Sequence, residues 1–529
     1  MAGVNTGVFK SWVPNWLIIF TVIFCMLHSM VMLGVYTSNI TYSASFLDVE
    51  PEDLQFSLCV TYGTFLATLL IEGRFFKYFP TRNYFLVIYS LASLTFVISG
   101  YTSNYPLFLL LRVAEGVLMA LPALPMRQLL ISRLKSRNAT IMALSFNYAA
   151  LLMASPFIMN ITVWLLENYD WKYMAYGSAF FQLMCVALVL LTFNHNRFHK
   201  KLPLYQIDWI SYVLILTAIL CGAFVFIYGE KKYWFDSVQI VMASIVALVC
   251  SAFFIMRQVL VRRPVFDLVI LSYANLRIGL LLFVLFYISR ATLNICHSAM
   301  FTVWDWEPSR VAKVQYLNLL GNIVGMVGAA FFLAKQVAHR YIFILGFVFI
   351  AVYHLWFTFL FVPDVSLADI VFPYMLQGVS VGLLFVPLVL FTVSSVPQHL
   401  ASSSGTAGVA GRFWGSTIGF CIMQNAQVYL TQFHTLKLNR FVLPESPETQ
   451  NRLQQAIQSF IAKGYTEEDA SKLAVKGIAA SVKKQSLLLS NMEIFTFIGY
   501  GLLLLVVLLL VNRHLRQTFD IFKNKVWGS

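Results

Sequence analysis

The chain has 529 residues, 59% of them hydrophobic and 11% charged, with a mean hydropathy of +0.75. Soluble domains carry about twice that charged fraction, so an ordinary soluble protein is excluded. Most of the basic residues behind the net charge of +14 lie in short loops or near the ends of apolar runs, the pattern of topology determinants, which argues against nucleic-acid binding. Seven cysteines (Cys25, Cys59, Cys185, Cys221, Cys250, Cys296, Cys421) all fall inside apolar runs without a CxxC pair. Neither a disulfide framework nor a metal site is expected, and no cofactor.

Residues 1–16 carry one lysine, and the first apolar run lacks a small-residue cleavage site, so a retained first helix is expected rather than a signal peptide. Runs of membrane-spanning length predict fourteen helices, at 16–38, 55–72, 83–101, 105–128, 139–165, 172–194, 207–228, 237–256, 277–300, 312–334, 340–361, 368–395, 404–430 and 492–512. In lipid a helix satisfies its own backbone, which predicts an all-α polytopic membrane protein. Every second loop is basic: Arg74, Lys77 and Arg82; Arg133, Lys135 and Arg137; Arg197, Lys200 and Lys201; Arg257, Arg262 and Arg263; Lys335 and Arg340. The tail adds Arg513, Arg516, Lys523 and Lys525. These loops and both termini are therefore expected in the cytoplasm.

One loop breaks this rhythm. Residues 431–490 form a long polar segment expected outside the membrane. Ser446-Pro447-Glu448 is a helix-start signal. Leu453, Ile457 and Phe460 recur at helical spacing, Gly464 is a stop, and Thr466 with Asp469 starts a second helix. A helical hairpin is expected, either a solvated connector or a docking site for a partner. An internal echo also appears. Lys77 and Arg82 after the second span match Lys335 and Arg340 after the tenth, as repeats in transporter halves do.

Ionisable residues within spans are functional candidates by default. Arg112 and Glu115 are spaced i,i+3 on the fourth span and can pair. Glu115 is the expected proton-linked carboxylate, with Arg112 and His28 as further proton-coupling candidates. Arg290, Tyr287 and Asn294 lie on the ninth span, Asn318 and Asn322 on one face of the tenth, and Gln377 on the twelfth. In the thirteenth span, Gly405, Gly408, Gly411, Gly415 and Gly419 suit close packing, which does not account for Arg412 among them.

The Arg112-x-x-Glu115-Gly116 stretch and the Ser404-Gly405…Arg412-x-x-Gly415-x-x-x-Gly419 stretch resemble signatures of the major facilitator superfamily, in particular its fourteen-helix drug:proton antiporter branch. Thr37-Ser38-Asn39-Ile40 before Asp53-Leu54-Gln55, Asp170-Trp171-Lys172-Tyr173-Met174 and the lead-in from Val482 to Phe495 add to it, and the resemblance covers essentially the whole chain. It implies two six-helix bundles, residues 1–200 and 265–529, with two inserted helices in 201–264. It also implies a cavity lined by spans 1, 4, 9 and 12, and supported by spans 2, 5, 10 and 13. Arg112 and Arg290 are expected to form its polar floor, with Asn294, Asn318, Asn322, Gln377, Tyr287 and Phe385 around it. Lys77, Arg82, Pro156, Gly405, Arg412, Gly415 and Gly419 take gating and packing roles.

The function implied is proton-coupled export of small drug-like or amphiphilic molecules across the cytoplasmic (inner) membrane, not an enzyme. Its partners are the substrate, protons and the lipid bilayer, with a periplasmic adaptor and an outer-membrane channel in a tripartite system. The chain departs from the family in several places. It lacks the Asp of the gating loop after the second span, it has Gly34 where an acid is usual, and the helix 5 signature is reduced to Ser155-Pro156-Phe157-Ile158-Met159-Asn160. Glu115 stands where Gln is usual. Three alternatives stay open: a siderophore or metabolite carrier, a receptor or scaffold on a transporter fold, and a membrane di-iron oxygenase. For the last, His195-Asn196-Arg197-Phe198-His199 is the lone candidate box.

Overall fold

A computed structural model describes residues 6–36, 40–134, 139–394, 396–443, 445–512, 515 and 517–519. Residues 37–39 of the first resemblance stretch, Lys135 and Arg137, and Arg513, Arg516, Lys523 and Lys525 lie outside the described residues. The first span is α1 (Asn15–Met26) and α2 (His28–Gly34), interrupted at Leu27. A short α3 (Ile40–Leu47) precedes α4 (Pro51–Thr68), which bends by 61° into α5 (Glu72–Tyr78). Then follow α6 (Thr81–Tyr101), α7 (Tyr105–Arg133), α8 (Ala139–Asn168), α9 (Trp171–Thr192), α10 (Trp209–Tyr228) and α11 (Val238–Leu260). The remaining helices are α12 (Ala274–Thr302), α13 (Pro308–Ala334), α14 (His339–Thr358), α15 (Leu367–Val393), α16 (Ala401–Asn439), α17 (Pro447–Ala462) and α18 (Glu467–Val511).

Among the described residues eleven helices are long and apolar enough to span a membrane, or twelve with the bent α4–α5 pair. α8 and α16, of 30 and 39 residues, have the length to complete the fourteen expected spans. Caps mark where the sequence placed them. Thr466 accepts from the Asp469 N–H at 3.3 Å to start α18, and Gly464 takes φ +92° between α17 and α18.

Two expected boundaries move. The thirteenth span continues to Asn439 and the fourteenth begins at Glu467, so the 431–490 segment is largely an extension of two spans with α17 between them. No proline or glycine interrupts Phe420 to Asn439, so helical bonding propagates past the apolar limit. Gln427 bonds Asn491 at 2.8 Å, Thr431 bonds Ser490 at 3.2 Å, and His434 lies 3.1 Å from Glu493. Lys484 reaches Asp305, between α12 and α13, at 2.6 Å.

Three apolar cores position the site. One is built from Val8 to Phe193 of the first spans. A second joins α12 to α18 and takes in Leu144, Tyr148, Leu152, Met159 and Val163 of α8. A third binds α10 to α4 and α16 through Cys59, Ile219, Ala223 and Phe413. α11 is the least buried span, fixed to α10 by the Arg257–Asp208 pair at 2.9 Å.

The closest helix contact is α13 on α15. A Cβ at Gly321 would meet the Met375 carbonyl, and one at Gly325 the Val379 carbonyl. Gly378 and Gly382 sit in the same way on the Asn318 and Asn322 carbonyls. Paired small residues four apart let two backbones touch. The α4–α7 contact repeats this in the first half: a Cβ at Gly116 would meet the Thr61 carbonyl and the Phe65 N–H, as one at Gly378 would meet the Asn318 carbonyl and the Asn322 N–H. Glu115-Gly116 and Gln377-Gly378 therefore occupy equivalent places.

Candidate functional site

Two arginine sites lie on either side of α4. In the first, Arg112 and Glu115 of α7 are both fully buried and ion-paired. Arg112 Nη1 also donates to the Met32 carbonyl at 2.9 Å, and the guanidinium sits 5.3 Å from the Tyr36 ring centroid. Tyr36 in turn shares a hydrogen bond with Ser99. Thr61 of α4 donates to the Arg112 carbonyl at 3.2 Å. Among the described residues, Arg112 Nε and Nη2 and Glu115 Oε1 are buried without a hydrogen-bond partner.

His28 is close by on the first span, fully buried. Its Nε2 lies 3.1 Å from the Leu118 carbonyl and its Nδ1 2.6 Å from the Gln182 amide of α9. The partner of Nδ1 is Gln182 Oε1, and it and the Leu118 carbonyl both only accept, so a neutral ring donates to one of them and a charged ring to both. Ser29, the next residue, lines a small cleft with Cys25, Met26, Pro122, Ala123 and Asn147.

The second site is central. Arg412 of α16, 7% exposed, lies 5.3 Å from the Tyr148 ring of α8 and 5.9 Å from the Phe385 ring of α15. Its Nε donates to the Gly408 carbonyl at 3.2 Å. Arg290 of α12 is half-buried and sits 5.9 Å from the Tyr287 ring. Tyr62 of α4 and Tyr287 are each within electrostatic reach of both arginines. Phe385 gathers the rings of Tyr148 (4.9 Å), Phe286 (6.2 Å), Tyr287 (6.4 Å) and Phe283 (6.5 Å). Among the described residues neither arginine has a carboxylate within 4.0 Å.

The expected polar floor is corrected accordingly. Arg290 is grouped with Arg412, not with Arg112, whose side chain is drawn to Glu115 and the Met32 carbonyl. Asn294, one turn beyond Arg290, is exposed. Asn318, Asn322 and Gln377 form a belt between α13 and α15 instead of an open wall. Asn318 Nδ2 bonds Gln377 Oε1 at 2.5 Å and the Tyr374 carbonyl at 3.1 Å, and Asn322 bonds Asn318 at 3.0 Å. His297 bonds the Tyr374 hydroxyl at 2.8 Å.

The gating and packing candidates divide. Gly415 and Gly419 lie against the α12 backbone, at 3.1 Å from Val284 Cα and 3.0 Å from Ile288 Cα for an added Cβ. Gly405 has nothing within 4 Å, because at the same helix offset α12 has only begun. Pro156 is buried within α8, and Asn160 ties its carbonyl and the Ala312 carbonyl of α13 at 2.8 Å each. Arg82 bonds His195 at 2.7 Å just after α9, and Arg340 bonds the Leu509 and Leu510 carbonyls at 2.9 and 2.5 Å at the end of α18. Both arginines of the sequence echo thus reach the end of the last helix of their half. Lys77 ends α5, and Lys335 lies 4.4 Å from the Phe331 ring.

Sequence reasoning named Tyr287 and Phe385 as cavity rings but missed Tyr148 and the grouping of these rings around Arg412, because they come from α8, α12 and α15. It also missed Gln182 and the acidic start of α4, where Tyr228 bonds Asp53 at 2.5 Å, Gln424 bonds Glu52 at 3.3 Å and Lys231 pairs with Glu50. The Gly321/Gly325 and Gly378/Gly382 spacing was the one legible signal left unused.

No family model matches the chain. It is 23% identical over 448 residues to the multidrug export protein EmrB of Haemophilus influenzae, covering 83% of this chain and 84% of that one. It is 22% identical over 437 residues to the fatty acid resistance protein FarB of Neisseria gonorrhoeae, covering 80% and 81%. The structure of tetrameric PepTSo2 superposes with a TM-score of 0.57 at 14% identity, covering 96% of this chain and 100% of that one. The partially occluded inward-open xylose transporter XylE of Escherichia coli gives 0.50 at 11% identity, covering 78% and 93%. The chain therefore has the all-helical, many-span fold of these solved transporters. The resemblance read from the sequence is supported: over most of its length the chain is similar to proteins named for multidrug export and fatty acid resistance, and it shares the fold of solved major-facilitator transporters.

Proposed function

We propose that the protein is a proton-coupled exporter of small amphiphilic molecules, working by alternating access in the cytoplasmic (inner) membrane with both termini in the cytoplasm. The observation that carries the coupling is the fully buried Arg112–Glu115 pair on α7, with one Glu115 oxygen unbonded among the described residues. A buried carboxylate with a single charged partner changes protonation when that partner moves. Export is supported by the relatives, whose names speak of multidrug export and fatty acid resistance.

The partition into bundles 1–200 and 265–529 around the inserted 201–264 belongs to this reading. It is supported by the repeated glycine contacts of α4–α7 and α13–α15. A periplasmic adaptor and outer-membrane channel belong to it as well, with the α16–α18 hairpin as the surface such a partner would meet. The test is uptake into inverted proteoliposomes. Glu115→Gln should abolish acceleration by a pH gradient while the protein stays monodisperse. Unchanged gradient dependence would return Glu115 to a structural role.

A further inference from the structure

We propose that Arg290 and Arg412 bind the anionic head group of the exported molecule and that the surrounding rings hold its apolar body, so that the substrates are amphipathic organic anions. This rests on the transporter reading above. Both guanidiniums are permanently charged, and both lie within spans, where charge is costly unless paired. The contrast with the other site is internal to the molecule. Arg112 has its carboxylate one turn away, whereas Arg290 and Arg412 have none in reach among the described residues. A pair of cations kept without a counter-charge suits a ligand that brings one.

The ring faces offset part of the cost. Arg412 lies over Tyr148 and Phe385, and Arg290 over Tyr287. The same rings supply phenolic donors, and Tyr62 adds another from α4. A carboxylate or sulfonate takes charge-assisted bonds from such a set, and a guanidinium fork matches its two oxygens. The Gly408 carbonyl holds Arg412 Nε, which orients its fork. The apolar wall of Phe283, Phe286 and Phe385 lies beside it. A cationic drug would meet like charge here, and a neutral one would leave both arginines unpaired.

The test compares three probes of one chain length, dodecanoate, dodecanol and dodecyltrimethylammonium, binding to the purified full-length protein in an uncharged detergent. Wild type should bind dodecanoate at least about tenfold more tightly than the trimethylammonium. Arg412→Gln and Arg290→Gln should each lose that preference while dodecanol affinity stays. Arg412→Lys, which keeps the charge and loses the fork, should retain part of it, and it serves if Arg412→Gln does not fold. Equal binding of the three probes by wild type, or an undiminished preference in the glutamine variants, overturns the proposal. Binding needs no gradient, so anion-selective binding without gradient-driven flux would sink the export reading and leave the site standing. Flux without anion selectivity would do the reverse.

Discussion

Thr61 and Tyr62 are neighbours on α4 and serve different arginine sites. The Thr61 hydroxyl donates to the Arg112 carbonyl at 3.2 Å, while the Tyr62 ring packs 5.6 Å from Phe413 and within electrostatic reach of Arg412 and Arg290. A rotation of α4 about its axis therefore moves both sites at once. Tyr62→Phe should weaken substrate binding about 3- to 10-fold, the scale of one hydrogen bond, and leave the pH dependence of transport unchanged. Thr61→Val should shift the pH profile and leave affinity in place. Fluxes and binding measured across a pH series check both.

The α13–α15 contact has no room for a side chain. Gly378→Ala should destabilise the protein by about 1–3 kcal/mol or more, as overpacking does, seen as a lowered unfolding temperature in detergent. Gly405→Ala meets nothing within 4 Å and should be neutral, or stabilising by up to about 1 kcal/mol through helix propensity.

Removing the Gln182 amide strips His28 Nδ1 of its partner. Gln182→Met should cost about 1–3 kcal/mol for an unsatisfied buried group. If His28 takes part in coupling, the pH profile of transport moves with it. A thermal-shift assay beside flux measurements separates the two effects.

At the start of α10, burial pushes the Asp208 carboxyl up, and bonds from Arg257 and Ser211 outweigh it, leaving Asp208 below its ordinary range. A depressed carboxyl stabilises the fold above its unfolded pKa of about 3.9, and that contribution is lost as pH falls through the folded value. Asp208→Asn should loosen α11 from α10, seen as a modestly lowered unfolding temperature, since solvent screens a partly exposed pair. The loss should be largest at neutral pH and fade in strong acid.

Topology is checked by single cysteines in a background lacking the seven native ones. Lys200→Cys should be protected from an impermeant maleimide in sealed cells, and Ser459→Cys should react. Labelling of both from outside would contradict the alternation of basic loops.

Helix number and the hairpin were legible because hydropathy and caps are local signals. The Arg112–Glu115 pair was legible because i,i+3 spacing puts both residues on one face. The partner of Arg290 was not. Depth along a helix can be counted from sequence, but azimuth depends on packing, and Arg112 turns toward Met32 while Arg412 turns toward Tyr148. Asn318 and Gln377 read as cavity polar groups for the same reason. Only the glycine pairs beside them reveal that their helices touch.

α16 and α18 run without a break from the membrane into the hairpin, with 39 and 45 residues. At 1.5 Å per residue they are about 58 and 68 Å long, roughly twice the hydrocarbon thickness. A rod of that kind cannot tilt at one end alone. A change of about 10° in α16 at the level of Arg412 would carry the tip near Ser459 through roughly 5 Å or more. On the proposed topology the hairpin is an external pointer to an internal state, and a partner gripping it from outside would feel, and resist, each turn of the proposed transport cycle.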